Sequence, residues 1–100
     1  MSYREEESND EIIIHLVEDI DLEKSDDLRS QATDCLGKTK QLSFNMSKVN
    51  YIDSSGVSVL IELNQMAGEA SKKFIIQSPS EQVTSVLKMA KLFEFFTITS

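Results

Sequence analysis

The chain has 100 residues, 40% of them hydrophobic, and a net charge of −7, which suits one domain with one core and leaves no room for a second. That acidic balance argues against nucleic acid and anionic membrane surfaces as partners and is compatible with a basic protein surface. Cys35 is the single cysteine, so an intramolecular disulfide is excluded, and neither a metal site nor a cofactor is expected.

Residues 1–10 are polar and charged and read as an edge strand or as disordered chain, with both readings open. They contain no apolar signal region, and no later apolar run approaches the length of a membrane span, so a cytoplasmic protein is expected. Ile12-Ile13-Ile14-His15-Leu16-Val17 is β-branched and almost continuously apolar, which predicts a strand over residues 11–17 covered on both faces. An acidic turn, Glu18-Asp19-Ile20-Asp21, leads into a helix over residues 22–36. Its Leu22, Leu28, Ala32, Cys35 and Leu36 fall near helical spacing, and Gly37 is the expected stop. Leu42, Phe44 and Met46 alternate with Ser43 and Asn45, a strand pattern over residues 41–46.

Asp53-Ser54-Ser55-Gly56 then interrupts the apolar run and starts a second helix with Leu60, Leu63, Ala67 and Ala70 on one stripe. Val57, Val59, Ile61 and Met66 widen that surface, and Val57 and Ser58 are the residues expected to escape burial. A strand follows at residues 73–77. In Ser78-Pro79-Ser80-Glu81, Ser78 reads as the cap of a third helix, Pro79 as its first residue and Glu81 as the partner in a capping box. Phe93, Phe95 and Phe96 read as core or rim, and residues 96–99 as a closing strand. Strands alternating with helices indicate an α/β fold with parallel pairing of the later strands.

Catalytic chemistry finds little support. His15, the only histidine, lies inside a strand, and three glycines cannot build a phosphate cradle. The turn lacks the first glycine of a nucleophile elbow. The chain reads as the substrate of an enzyme and not as an enzyme itself. At the turn, Asp53, Ser54 or Ser55 can simply cap the helix. Alternatively a hydroxyl there accepts a phosphate, which a helix N-terminus favours by about 0.3–1 kcal/mol per charge.

The order of elements, with Asp53-Ser54-Ser55-Gly56 after a strand and Ser78-Pro79-Ser80-Glu81 downstream, resembles the STAS domain over residues 11–99. Within that family it is most similar to the free-standing anti-sigma factor antagonists of bacteria. The resemblance implies one STAS-type domain spanning residues 1–100, with a mixed sheet of four to five strands packed against three to four helices. It implies a module of transcription regulation by partner switching. The unphosphorylated form binds an anti-sigma factor that is also a GHKL-type serine kinase, phosphorylation releases that partner, and a PP2C-type phosphatase resets the system. The phosphoacceptor maps onto Ser54, with Ser55 as the secondary candidate. Asp21, Asp53, Ser55, Gly56, Val57 and Ser58 map onto the partner-facing edge. The chain departs from the family pattern at Glu18, where a glycine is usual, at Asn45, where an aspartate is common, and around Ala70-Ser71-Lys72, where a glycine is usual. The competing reading is a non-phosphorylated STAS adaptor bound to a transporter ATPase.

Overall fold

The computed structural model describes residues 3–100. The chain runs β1 (Arg4–Ser8), β2 (Glu11–Ile20), α1 (Leu22–Lys38), β3 (Gln41–Ile52), α2 (Ser54–Glu69), β4 (Lys73–Gln77), α3 (Glu81–Met89) and β5 (Thr97–Thr99). Five strands form one sheet in the order β1-β2-β3-β4-β5, with β1 antiparallel to β2 and every later pair parallel. The expected α/β architecture with a mixed sheet is therefore present, with five strands and three helices. Residues 4–8 take the edge-strand reading of the N-terminal segment, while residues 1–2 lie outside the described part.

Each parallel pair needs a crossover, and sequential right-handed crossovers place all three helices on one face of the sheet. Ile12, Ile14, Leu16, Leu42, Phe44, Phe74 and Ile76 supply the sheet side of the core. Leu28, Ala32, Cys35, Leu60, Leu63, Val83 and Leu87 supply the helical side. Phe44 and Phe74 meet edge to face, with ring centroids 5.0 Å apart. Arg29 ties α1 to α2 by donating to Glu62 at 2.6 Å while also reaching Asp26 at 2.7 Å.

No helix among the described residues packs on the other sheet face, which corrects the expectation that the β2 strand is covered on both sides. Arg4, His15, Asn45, Gln77 and Thr99 are register partners from strand to strand and form one polar row across that face. His15 is thus half-buried on the open face, where its Nε2 lies 2.9 Å from Glu6 Oε1.

Several local expectations are corrected. Glu18, Asp19 and Ile20 continue β2, pairing with Val49, Tyr51 and Ile52, so they are strand and not turn. The strand predicted over residues 41–46 runs on to Ile52. Gly37 lies inside α1, which ends at Lys38, and Lys72 Nζ caps from outside by donating to Leu36 O at 2.5 Å. The cap of α3 is Ser80, not Ser78. Its Oγ accepts from Val83 N at 3.1 Å and donates to Val49 O at 2.7 Å. Ser78 instead adopts φ 50° and donates its N–H to Thr99 O, which places Pro79 before the helix. Ala70 caps the exposed end of α2 and does not extend its buried stripe. Phe96 is buried, Phe93 packs on the core edge and Phe95 is exposed, so the aromatic cluster is core and rim as expected.

Candidate functional site

The site is built where β2 and β3 end together. Ile20 and Ile52 are register partners, both fully buried, and each is followed by an aspartate that caps a helix. Asp21 Oδ1 accepts from Lys24 N at 3.1 Å and starts α1. Asp53 Oδ1 accepts from Ser55 N at 2.9 Å and Gly56 N at 3.1 Å and starts α2. Asp53 N in turn donates to Ile20 O at 3.2 Å, tying the two caps to one edge of the sheet. Two helix N-termini, each carrying partial positive charge and unpaired N–H groups, therefore open side by side.

Because Asp53 does the capping, the hydroxyls that follow it are released from that task. Ser54, the first residue of α2, is exposed, and its hydroxyl makes no hydrogen bond among the described residues. Ser55 is half-buried beside it. Ser58 is exposed one turn on, as expected, whereas Val57 is half-buried and packs against the core.

Gly56 is buried between the two strand ends. A Cβ there would sit 2.6 Å from Ile52 Cγ1, 2.9 Å from Ile20 Cγ2 and 3.1 Å from Ile20 O. Only hydrogen fits, so Gly56 sets how closely α2 approaches the sheet and presents no side chain outward. Two apolar residues at the same end are exposed, which the sequence reading does not anticipate: Leu22, 69% exposed as the first residue of α1, and Tyr51, 52% exposed near the end of β3. The helical spacing predicts Leu22 in the buried stripe, but as the first residue of α1 it stands outside it. Tyr51 carries no local signal, because its exposure depends on a bulge in β3.

A sequence profile of the STAS domain matches residues 3–100. The chain belongs to the STAS domain family. Among solved structures, this STAS chain is similar to a Thermotoga maritima protein described as a candidate anti-sigma factor antagonist. That match has a TM-score of 0.90 and 19% identity over 98% of this chain and 86% of that one. It is also similar to the anti-sigma factor antagonist SpoIIAA in its unphosphorylated form, with a TM-score of 0.83 and 17% identity over 99% of this chain and 89% of that one. The phosphorylated form of SpoIIAA, from Bacillus, matches with a TM-score of 0.76 and 17% identity over 99% and 92% of the two chains. At these identities the likeness establishes the fold.

The rest of the STAS domain offers little else for chemistry. No group of three or more His, Cys, Asp or Glu is placed to hold a metal ion among the described residues. No helix in them is long and apolar enough to cross a membrane. Cys35 is buried, and burial, followed by the hydrogen bond its thiol donates to the Glu5 carboxylate, pushes the thiol up to about 12, far from a reactive thiolate.

Proposed function

We propose that this STAS domain is an anti-sigma factor antagonist whose binding to an anti-sigma factor is switched off by phosphorylation of Ser54. The observation that carries this reading is the free, exposed hydroxyl of Ser54 on a helix N-terminus whose capping is already performed by Asp53. A solved relative known in both phosphorylated and unphosphorylated forms is consistent with it.

A phosphate on Ser54 gains from the α2 N-terminus and is opposed by Asp53 and Asp21, so the domain's own stability changes little. At an interface the balance differs. A charge near −2 forced into a contact without cations meets desolvation and repulsion, and about 4 kcal/mol there lowers affinity about a thousandfold. In this reading Asp21, Asp53, Ser55, Val57 and Ser58 form the contact edge, with Leu22 and Tyr51 as its apolar anchors and Gly56 fixing its backbone. The partner is a GHKL-type serine kinase, reset by a PP2C-type phosphatase in the cytoplasm, and the domain itself performs no catalysis.

The test is intact-mass analysis with site mapping of protein purified from its own cells, alongside a Ser54→Ala variant, together with capture of the partner. The expected result is a fraction heavier by one phosphate, absent from Ser54→Ala, with partner capture retained by Ser54→Ala and lost by Ser54→Asp. Absence of phosphate under every growth condition, with capture unaffected by Ser54→Asp, would replace the switch by a constitutive adaptor.

A further inference from the structure

A second feature lies away from Ser54, on the other half of β2. Strand β1 begins at Arg4, opposite His15, while β2 continues to Ile20, so beyond His15 the β1 side of β2 has no neighbouring strand among the described residues. On its other side, β3 carries an extra residue between His15 and Val17 of β2, since the partners there are Asn45 and Lys48. Bulges of this kind re-aim side chains and are over-represented beside binding sites.

A cleft of about 550 Å³ opens at this point, within the range of small-molecule sites, which runs from about 300 to 1,000 Å³. Tyr3 and Val17 give it an aromatic and apolar wall. Asn45 and Ser47 lie at its bulged side, where Asn45 Oδ1 accepts from Ser47 N at 3.1 Å and Ser47 Oγ at 2.8 Å. That leaves the Asn45 amide nitrogen without a hydrogen-bond partner among the described residues.

The charges in the cleft run against those of the chain as a whole. Glu18 is engaged by Lys24 at 3.2 Å, and Asp27 has a partner of its own. Arg4 and Lys48 both line the cleft, and neither makes an ion pair or side-chain hydrogen bond among the described residues. Two uncommitted cations and a free amide donor thus converge beside an apolar wall, in a protein of net charge −7.

We propose that this cleft binds a small organic anion, a carboxylate or phosphate group carried on a flat, ring-sized apolar body. The head group takes charge-assisted hydrogen bonds from Arg4 and Lys48, and the body covers Tyr3 and Val17. None of the residues around Ser54 lines the cleft, so the proposal stands apart from the phosphoserine reading.

The experiment is an amide-resonance NMR titration of the full chain with phenyl phosphate, benzoate and, as a cationic control, benzylamine. Phenyl phosphate or benzoate should shift residues 15–18 and 45–48 saturably, and their relative affinities identify the head group. Arg4→Gln combined with Lys48→Gln should weaken that binding about tenfold or more. Both side chains are exposed, so the variant keeps its fold and a circular dichroism spectrum verifies it. Absence of saturable shifts, an equal response to benzylamine, or unchanged affinity in the double variant would each overturn the proposal.

Discussion

Gly56 and Gly68 both sit in α2 with ordinary helical backbone, yet replacing each by alanine should act in opposite directions. At Gly68 a Cβ meets nothing within 4 Å, so Gly68→Ala should stabilise by up to about 1 kcal/mol through helix propensity and a less flexible unfolded chain. At Gly56 the new methyl would press on Ile52 and Ile20, whose side chains are too buried to turn away. Overpacking there costs about 1–3 kcal/mol and outweighs the propensity gain. Urea denaturation of the two variants measures both signs; a stabilised Gly56→Ala would show that α2 can lift from the sheet. Cys35 supplies a pH signature at the same scale. Its folded pKa of about 12 lies above the ordinary 9.0, so the folded state holds a proton that the unfolded state releases between those values. That contribution is fully present below pH 9.0 and is lost as pH rises toward about 12. The slope is at most about 1.4 kcal/mol per pH unit. Stability should therefore fall more steeply between about pH 8.5 and about pH 10.5 in the native chain than in Cys35→Ala, and parallel slopes in the two would contradict the assignment.

Among the elements, the pairing of β2 with β3 decides where the site forms. Strand β3 spends 12 residues covering the 10 of β2, and its bulges absorb the difference so that Ile20 and Ile52 finish level. The caps Asp21 and Asp53 then fall side by side, which no local window of sequence contains. What was legible locally was that Asp-Ser-Ser-Gly after an apolar strand starts a helix with Asp53, Ser54 or Ser55 as its cap; the bonds from Ser55 N and Gly56 N to Asp53 Oδ1 decide for Asp53. What was not legible was tertiary override. Glu18-Asp19-Ile20 has turn composition, but pairing with Val49, Tyr51 and Ile52 holds it as strand. Glu81 three residues on favours Ser78 as the cap of α3, but the bonds from Ser78 N to Thr99 O and from Ser80 Oγ to Val49 O give that place to Ser80. The cap of α2 has its own prediction. Asp53→Ala removes the acceptor for two backbone N–H groups and should cost about 1 kcal/mol, while Asp53→Asn should retain most of it. Thermal unfolding of the pair separates hydrogen bonding from charge, and equal losses in both would mean that the carboxylate charge, not the cap, stabilises α2.

At the scale of the molecule, an α/β fold was readable because alternation and helical spacing are properties of single elements. The one-sided sheet was hidden, because Ile13 and Ile75 sit half-buried on the uncovered face and make their strands read as doubly covered. The same asymmetry defines the role of β1. Every residue of Arg4–Ser8 is exposed, so the strand adds little to the core, yet its backbone closes the edge of β2 from Glu11 to His15. Behind that edge lie Ile12, Ile14 and Leu16, a β-branched and apolar segment of the kind that pairs with any free strand. The three consecutive glutamates of β1 place charge along the outer edge and discourage further addition. The bonds from Lys40 N and Gln41 N to Asp10 O, together with the Thr39 hydroxyl on the same carbonyl, hold the start of β2 without any help from β1. Deleting residues 1–8 should therefore leave the helical and sheet signals of the fold in place while lowering its thermal midpoint. The exposed β2 edge should then associate with its copy in a second molecule. Light scattering after size-exclusion chromatography, over a range of concentrations, should show concentration-dependent growth in mass for the truncated chain and less for the full one. If the truncated chain stays as dispersed as the full one, β1 is not the guard of that edge; if its circular dichroism collapses, the strand contributes to the core beyond what its exposure implies.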